Sequence, residues 1–454
     1  MHVFSPISRR TFLGGFSAWA FSPAYVSASG LSDCVIVGAG IAGISAAQAL
    51  RRANRSVIIL EARDRIGGRA YTESKTFGVP YDHGCAWLHS ADQNPLTKMI
   101  EEQPGFTIVD EGSRDLWLYL DGREASEDDY SVLEEAHENL LRRIDRAVDR
   151  AETISDFEDR SIRDLSPPKG RIDRIAHTLV GPLEAGEETK RISALDVYRQ
   201  IGTGVEWMVP QGMAAGILQA LGPVAAQLNT IVRRIDWQRP EILVETNMGR
   251  LRTRSVIVTV PTSLLAEETI EFIPHLPDWK RQAAENLPMG LLDKITLQFK
   301  PAFRSLAEEA ETTGLLIQEN NNSQTWSHIL RPFGHDMTIG FLGGDTARSL
   351  SGEPDADRIT IELALENLTS LFGSDIRTLF VKGHYTNWLQ DPWARGAYSN
   401  APPGQANARK MMARPVAERL FFAGEATVTD WSTQAPGAYL SGRRAAREVI
   451  EMLN

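Results

Sequence analysis

The feature that most constrains this chain is a glycine-rich turn that joins an apolar strand to a helix near residue 40. Residues 34–37 read Cys-Val-Ile-Val, a strand-type run, and residues 38–43 read Gly-Ala-Gly-Ile-Ala-Gly. The pattern predicts an Ala-rich helix over 44–52 and a second strand over 57–60 that ends at Glu61. Glycines at this spacing between a strand and a helix predict a dinucleotide-binding unit.

Each glycine of the turn has a physical role. Gly38 makes the tight turn, Gly40 lets the backbone approach a pyrophosphate, and Gly43 lets the helix pack on the strand. The helix N-terminus favours the pyrophosphate charge, and Glu61 stands where an acid binds ribose hydroxyls. The contacts predicted from this unit are Gly38, Gly40, Ile41, Ala42, Gly43 and Glu61.

The residues after the second strand separate FAD from NAD. Residues 61–69 read Glu-Ala-Arg-Asp-Arg-Ile-Gly-Gly-Arg. This stretch resembles the second phosphate-contact motif of the glutathione-reductase-type flavoproteins, in which glycines allow close approach and an arginine neutralises pyrophosphate charge. The resemblance implies an α/β fold with a glutathione-reductase-type FAD-binding Rossmann domain. It adds the predicted contacts Ala62, Arg63, Gly68 and Arg69.

The C-terminal end carries a second set of motifs. Residues 420–427 read as a strand that ends in a Gly-Glu turn, and Pro436 suits the first turn of a helix that runs to the C-terminus. With the N-terminal motifs, these resemble the flavin-containing amine oxidase family, which includes monoamine oxidases, polyamine oxidases, bacterial nicotine-type oxidases and lysine-specific histone demethylases. The stretches that carry the resemblance are 32–90, 205–265, 285–300 and 385–454.

The family resemblance implies further cofactor contacts. Gly424 and Glu425 would meet the ribityl and phosphate oxygens, and the N-terminus of the last helix would face the flavin pyrimidine, where its partial positive charge stabilises the reduced anion. The backbone at Val232 would contact the adenine. The remaining contacts implied are Ala86, Trp87, Trp388, Gln434, Ala435, Gly437 and Ala438.

The length of 454 residues favours two domains. The resemblance implies a discontinuous FAD-binding domain and an α+β substrate-binding domain. The FAD-binding domain is predicted over 29–90, 205–275 and 405–454, and the substrate-binding domain over 91–204 and 276–404.

The predicted chemistry centres on one lysine. Residues 288–299 resemble the family segment whose lysine hydrogen-bonds a water beside flavin N5, and Lys294 takes that position. Polar and apolar residues alternate from 294 to 299, so Lys294 is predicted on the polar face of a strand. The alternative is a solvated surface lysine.

Three more residues complete the predicted site. Tyr398 and Tyr439 lie in motifs that resemble those of the family's two cage aromatics, which flank the substrate nitrogen. Alternatively, both are core tyrosines with satisfied hydroxyl groups. His89 takes a histidine position of animal-type polyamine oxidases, where it would hydrogen-bond a substrate nitrogen, although a structural role is an alternative. Ala397 stands where monoamine oxidases carry the flavin-linked cysteine, so non-covalent FAD is predicted.

Charge and composition exclude several other classes. The formal net charge of −11 argues against a nucleic-acid partner and mildly favours cationic small molecules. Two cysteines, Cys34 and Cys85, cannot form a disulfide framework or a zinc cluster, and no metal site is predicted.

The N-terminal residues predict an export signal. Arg9 and Arg10 precede a short apolar run that is followed by small residues up to Ala28. This pattern predicts a twin-arginine signal peptide over 1–28, recognised by the twin-arginine translocation machinery, and a periplasmic or secreted protein. The run is too short and too rich in Gly and Ser for a membrane span.

The predicted reaction is the FAD-dependent oxidation of an amine. By resemblance to the family, hydride transfer to flavin N5 gives an imine that hydrolyses to an aldehyde, and O2 is reduced to hydrogen peroxide. A polyamine such as spermidine or spermine is the leading substrate class. The alternatives are a monoamine, a cyclic nicotine-type amine or an L-amino acid, a dehydrogenase that passes electrons to a periplasmic carrier, and a non-catalytic flavin-binding protein.

Overall fold

A computed structural model describes residues 30–110, 116–151, 153–306, 314–319 and 325–454. The predicted signal peptide lies outside these residues. Among them no helix is long and apolar enough to cross a membrane.

The strands belong to two large sheets and three small ones. Their bounds are β1 (Ser32–Val37), β2 (Val57–Leu60), β3 (Thr72–Glu73), β4 (Tyr81–Asp82), β5 (Trp87–Leu88), β6 (Val109–Asp110), β7 (Leu116–Leu120), β8 (Arg123–Glu124), β9 (Trp207–Met208), β10 (Val232–Asp236), β11 (Ile242–Thr246), β12 (Gly249–Val258), β13 (Glu271–Ile273), β14 (Met289–Gly290), β15 (Leu292–Phe299), β16 (Gly314–Glu319), β17 (Thr325–Leu330), β18 (Met337–Gly343), β19 (Phe380–Tyr385), β20 (Tyr398–Ser399) and β21 (Leu420–Phe422).

Helices connect and cover these strands. Their bounds are α1 (Ile41–Arg52), α2 (Pro95–Glu101), α3 (Glu127–Asp149), α4 (Ile162–Leu165), α5 (Arg171–Thr178), α6 (Ala194–Tyr198), α7 (Met213–Leu221), α8 (Thr262–Ala266), α9 (Asp278–Glu285), α10 (Phe303–Leu306), α11 (Gly344–Ser351), α12 (Ala356–Phe372), α13 (Asp375–Leu379), α14 (Ala408–Ala413) and α15 (Ala435–Leu453). Shorter 3₁₀ turns span Ile154–Asp156, Pro332–Gly334 and Glu425–Thr427, and a π-helix spans Leu179–Ala185.

The first large sheet is assembled from three distant parts of the chain. Its order is β13-β10-β11-β12-β1-β2, and β21 pairs with the C-terminal half of β12. Strands β2, β1, β12 and β21 run parallel. Helices α1 and α15 pack against each other at close range, because a side-chain carbon at Gly442 would lie 2.2 Å from the Ala42 carbonyl oxygen. The predicted strand–helix–strand unit is confirmed, with the helix starting three residues earlier than predicted.

The second large sheet has the order β19-β15-β18-β17-β16-β7-β8. All its pairs are antiparallel except β7 with β16. Strand β15 is paired on both sides and its five residues 293–297 are buried, so a side chain on this part of the strand is held in a fixed position. The chain therefore combines a largely parallel sheet with a largely antiparallel one, as expected for a mixed α and β fold.

Candidate active site

The two glycine motifs predicted from the sequence lie against each other. Gly40 and Gly67 form a parallel bridge, and the Gly67 N–H donates to the Ala39 carbonyl at 2.8 Å. A side-chain carbon at Gly43 would lie 2.0 Å from the Gly38 carbonyl oxygen, so this glycine is required for packing. A side-chain carbon at Gly40 would meet nothing closer than 4.0 Å, so this glycine borders open space at the start of α1.

The Glu61 carboxylate organises the turn above the first sheet. One oxygen accepts from the Ala39 N–H at 2.7 Å and the other from the Arg63 N–H at 2.9 Å. The residue is 5% exposed. The Arg63 guanidinium forms a two-bond pair with Asp391, with both distances 2.7 Å. Its positive charge is therefore largely neutralised within the protein.

Uncapped helix N-termini and a buried side-chain oxygen border the place where a dinucleotide is predicted to bind. Within the part of the chain that the structure describes, no side chain caps the N-terminus of α1 or of α15. The Gln434 Oε1 atom, at the start of α15, is buried and has no hydrogen-bond partner within the described part of the chain. A side-chain carbon at Gly424 would meet nothing within 4 Å. Helix N-termini bind phosphate and other anions, so these residues fit a flavin dinucleotide.

Arg69 and Glu425 connect the two ends of the chain at this site. The Arg69 guanidinium donates to Glu425 Oε1 at 3.0 Å and to the Ala397 carbonyl at 2.8 Å. Burial acts to raise the pKa of Glu425, but the charges of Arg69 and Arg409 lower it below its ordinary value. Glu425 is therefore a buried carboxylate rather than a neutral acid.

Lys294 projects from β15 into the interior. Its Nζ donates to the Asp82 carbonyl at 2.7 Å and to the Gly84 carbonyl at 2.8 Å, and the residue is 6% exposed. Burial lowers the pKa of this amine to about 8, although the Asp82 and Cys85 side chains act to raise it. The structure therefore excludes the alternative of a solvated surface lysine.

Two aspartates that the sequence analysis did not single out, the half-buried Asp82 and the buried Asp293, position the backbone around Lys294. The Asp82 carboxylate accepts the backbone N–H groups of Met213 and Ala214 at the start of α7, which anchors the loop that binds the lysine. The Asp293 carboxylate accepts from the Trp388 N–H at 2.8 Å, which fixes the predicted flavin contact Trp388. Both carboxylates lie in predicted motifs, but their partners are distant in sequence.

His89 is paired with a glutamate across two short strands. In β5 and β9, Trp87 pairs with Met208 and Leu88 with Trp207, so the register brings His89 beside Glu206. The His89 Nδ1 lies 2.5 Å from Glu206 Oε2. Burial acts to lower the pKa of His89, but Glu206 and the nearby Glu184 raise it above its ordinary value.

Trp87 lies between this pair and Lys294. Its ring is 6.4 Å from the His89 ring centroid and 5.9 Å from the Lys294 Nζ. The Tyr398 hydroxyl donates to the Glu184 carbonyl. Lys294, Trp87, His89, Glu184 and Tyr398 thus belong to one continuous region.

Tyr439 lies in an apolar cluster with Ile41 and Ile44 of α1. It is 9% exposed, and the same cluster includes Leu88, next to His89. Its hydroxyl accepts from Arg443 at 2.8 Å, one turn along α15. These contacts match the alternative of a core tyrosine with a satisfied hydroxyl, and the role of Tyr439 as the second cage ring stays a prediction.

The sequence profile of one protein family, described as flavin containing amine oxidoreductase, matches residues 41–450. The chain belongs to this family. The enzyme is therefore a flavin-dependent amine oxidoreductase.

Curated relatives are similar over most of the enzyme's length. Polyamine oxidase 2 of Arabidopsis thaliana is 27% identical over 91% of this chain and 87% of its own. Polyamine oxidase 4 of Oryza sativa subsp. japonica is 28% identical over 91% of this chain and 88% of its own.

Solved structures share the fold of this oxidoreductase. Cyclohexylamine oxidase from Brevibacterium oxydans aligns with a TM-score of 0.75 and 23% identity over 93% of this chain and 100% of its own. Wild-type putrescine oxidase bound to putrescine aligns with a TM-score of 0.74 and 21% identity over 93% of this chain and 99% of its own.

The other predicted contacts of the flavoenzyme lie around the same loops. Ala86 is 6% exposed beside the Lys294 loop, Val232 starts β10, and Trp388 is 6% exposed. A side-chain carbon at Gly437 would lie 2.0 Å from the Trp431 carbonyl oxygen, so Gly437 is needed for packing at the start of α15. The individual roles of these residues toward the flavin stay predictions, as do those of all the other predicted contacts, among them Ala62, Gly68, Ala435 and Ala438. In the described residues no cluster of His, Cys, Asp and Glu could hold a metal ion.

Proposed function

We propose that the enzyme oxidises an amine that carries a second positively charged nitrogen, such as a polyamine. The observation that carries this proposal is the group formed by His89, Glu206 and Glu184 beside Tyr398. FAD, when bound, would supply the acceptor for a hydride from the substrate's C–H bond, and O2 would take the two electrons with two protons, the second lost from the amine nitrogen as the imine forms, to give hydrogen peroxide. The remaining work falls to side chains that bind, orient and shield the amine.

The acidic group supports a site for a distant ammonium. Glu206 is hydrogen-bonded to His89. The charges of both residues act on the nearby Glu184 carboxylate, and burial raises the pKa of Glu184. The His89 side chain is 42% exposed, so its ring is accessible to a ligand. Two carboxylates with one imidazole give this part of the site a negative charge, which favours a cationic ligand.

Lys294 supports the other end of the site. Two of its three N–H donors are used by backbone carbonyls, so one remains for a water or a reaction partner. Tyr398 offers a ring face that could carry an amine, because a π face attracts a nitrogen cation. The separation of Lys294 from His89 by the Trp87 ring is consistent with a substrate that is oxidised at one nitrogen and held at another.

The architecture proposed around this site follows the first sheet. We infer that FAD is held mainly by residues 29–90, 205–275 and 405–454, and that residues 91–204 and 276–404 enclose the amine. Its support is that β1, β12 and β21 come from those three stretches and pair in one sheet. We also propose that FAD is held without a covalent bond, since position 397 is alanine. Acid precipitation of the purified protein should then release all of the yellow colour.

The test uses FAD-loaded enzyme mixed anaerobically with spermidine, putrescine or a monoamine such as butylamine. The flavin absorbance should bleach with the polyamine and diamine at much lower concentrations than with butylamine. Replacement of Glu206 by Gln should raise the apparent Kd for spermidine about 10-fold to 100-fold, the range of one charge-assisted hydrogen bond, and should leave the value for butylamine unchanged. Glu271→Gln, on the exposed edge strand β13, is the matched control.

The opposite pattern would refute the substrate class. Butylamine, cyclic amines or L-amino acids that bleach the flavin as well as spermidine does would redirect the assignment to those classes. A flavin that no amine reduces would leave only a flavin-binding protein. Peroxide formed in air, one per amine oxidised, would support O2 as the acceptor, and its absence with an active enzyme would indicate another electron carrier.

We further propose export through the twin-arginine pathway. This proposal rests on Arg9 and Arg10 and the apolar run after them. Expression of the full chain in a bacterium with that pathway should give periplasmic enzyme, and replacement of both arginines by lysine should leave it in the cytoplasm. Periplasmic recovery of the lysine variant would refute the signal.

A further inference from the structure

A chain of buried charges connects the candidate flavin contacts to a helix outside the predicted motifs. It runs from Arg69 through Glu425 and Ser399 to Arg409 and Asp196. The last pair is fully enclosed: the Arg409 side chain is 0% exposed and that of Asp196 is 3% exposed. Cations and anions alternate along the chain, so the buried charges are balanced.

Arg409 uses its planar guanidinium in two directions. Its Nε and Nη2 donate to the two Asp196 oxygens at 2.7 and 2.8 Å. Its Nη1 donates to Ser399 Oγ at 2.8 Å and its Nη2 to the Ser399 carbonyl at 3.1 Å. A rigid fork with four bonds defines the position of Ser399 more closely than a flexible lysine ammonium could.

Ser399 passes this constraint to the candidate flavin contact. Its Oγ donates to Glu425 Oε2 at 2.7 Å, and its N–H donates to Glu425 Oε1 at 3.2 Å. The other side of Tyr398 is held as well, because the Ala397 carbonyl accepts from Arg69. The backbone is therefore bonded to charged groups immediately before and after Tyr398.

A purely structural ion pair does not require this arrangement. Asp196 would satisfy Arg409 with the same two bonds if Ser399 were absent. Among the described residues, the other donors of Arg409 bond to Ser399 alone. The Ser399 side chain in turn bonds there to Glu425 and Arg409 alone. The bonds thus converge on the residues that lie next to Tyr398.

We propose that Arg409 and Asp196 are positioning residues for amine oxidation, which fix Ser399 and through it the Glu425 carboxylate and the Tyr398 ring. The inference rests on the proposed function, in which Tyr398 contacts the amine, and on the predicted contact of Glu425 with the flavin. Arg409 and Asp196 would act through Ser399 without contacting the substrate.

The test compares two buried basic side chains that hold the same helix, Arg409 on α14 itself and Lys280 on the neighbouring α9. Arg409→Lys keeps the charge next to Asp196 but loses the fork. Lys280→Met removes the amine that binds the other end of α14, where Lys280 Nζ donates to the carbonyls of Met411 and Met412 at 3.0 and 2.9 Å. Both variants loosen α14, but only the first alters the bonds to Ser399.

The readouts are the melting temperature, the FAD content, and the rate of anaerobic flavin reduction at saturating spermidine. Both variants should melt at lower temperature. Arg409→Lys should retain FAD and lower the saturating reduction rate about tenfold or more, with little change in the apparent Kd for spermidine, because small misplacements of reacting groups cost rate. Lys280→Met should reduce its flavin at the wild-type rate.

Equal reduction rates in Arg409→Lys and wild type would overturn the proposal, as would an equal loss in Lys280→Met. If Arg409→Lys does not fold, Ser399→Ala removes one link and should show the same loss of rate. If no amine reduces the wild-type flavin, the proposed function fails instead. The visible circular dichroism of the bound flavin needs no substrate, and an unchanged spectrum in Arg409→Lys would then refute the positioning role.

Discussion

The ionisation of Lys294 makes a quantitative prediction about stability at alkaline pH. The amine is 6% exposed, and burial lowers its pKa to about 8 in the folded protein. In the unfolded chain a lysine has a pKa near ~10.4. Between these two values the unfolded chain binds more protons than the folded protein does. The folded protein must therefore gain stability as the pH rises through this window.

The expected gain can be worked out for a chosen interval. Between about pH 7.5 and pH 9.5, an unfolded lysine keeps nearly all of its proton, whereas a folded one with a pKa near ~8 loses most of it. Lys294 then adds about 2 kcal/mol to the free energy of unfolding. The buried thiols act in the opposite direction, since burial raises the pKa of Cys34 and of Cys85 to about 12. The effect of Lys294 is therefore measured as the difference between the wild type and a variant that lacks this lysine.

The assay is urea unfolding of wild type and of Lys294→Met at both pH values, followed by tryptophan fluorescence. The change in unfolding free energy between the two pH values should be about 2 kcal/mol more favourable in the wild type than in the variant. Arg234→Met, at an exposed ion pair of β10, is a control that should match the wild type. Equal pH dependence in wild type and Lys294→Met would show that the buried lysine stays charged throughout, and the reasoning would fail.

Three further predictions address the packing around the site. Gly40→Ala should keep the wild-type melting temperature in the absence of FAD but bind FAD at least about tenfold more weakly. Gly43→Ala should instead melt at a lower temperature, because its new side-chain carbon would lie 2.0 Å from a carbonyl oxygen. Titration with FAD and thermal melting distinguish the two effects. Lys280→Met should cost about 2 kcal/mol in urea unfolding, since buried carbonyls at the end of α14 lose their donor. Burial lowers the pKa of His83 to about 4. The contribution of neutral His83 to the free energy of unfolding is therefore complete above the unfolded pKa near ~6.5 and is lost as the pH falls toward about 4. His83→Gln should reduce the loss of unfolding free energy between about pH 7 and pH 5 by about 2 kcal/mol.

The local parts of the site could be predicted from the sequence because neighbouring residues encode them. The strand over 57–60 was predicted with its observed bounds, and the last helix begins within one residue of Pro436. The meeting of Gly40 with Gly67 also follows from two short motifs, each with its own chemical signature. Such features depend on periodicity and turn chemistry over a few residues.

The parts that were missed depend on pairing between distant segments. Glu206 reaches His89 because β5 and β9 are antiparallel neighbours, and strands of two residues leave no readable alternation in the sequence. The Arg409–Asp196 pair spans 213 positions. An isolated arginine or aspartate in a helix reads as a solvated residue, so only the folded chain identifies these two as buried partners.

The burial of Tyr439 follows from a difference between a helix terminus and a helix interior. A residue before the first helical turn can direct its side chain away from the helix packing, and the Gln434 side chain has a buried oxygen with no partner among the described residues. Tyr439 stands one turn inside α15, on the face that packs against α1, and its carbonyl accepts from Ser45 of α1. On the same face, three residues further on, a side-chain carbon at Gly442 would lie 2.2 Å from the Ala42 carbonyl oxygen. Residues three apart share a helix face, so the position that allows Gly442 to touch α1 directs Tyr439 to α1 as well. The two residues therefore differ in what they face, because Tyr439 packs on α1 whereas Gln434 keeps a buried oxygen that has no partner among the described residues.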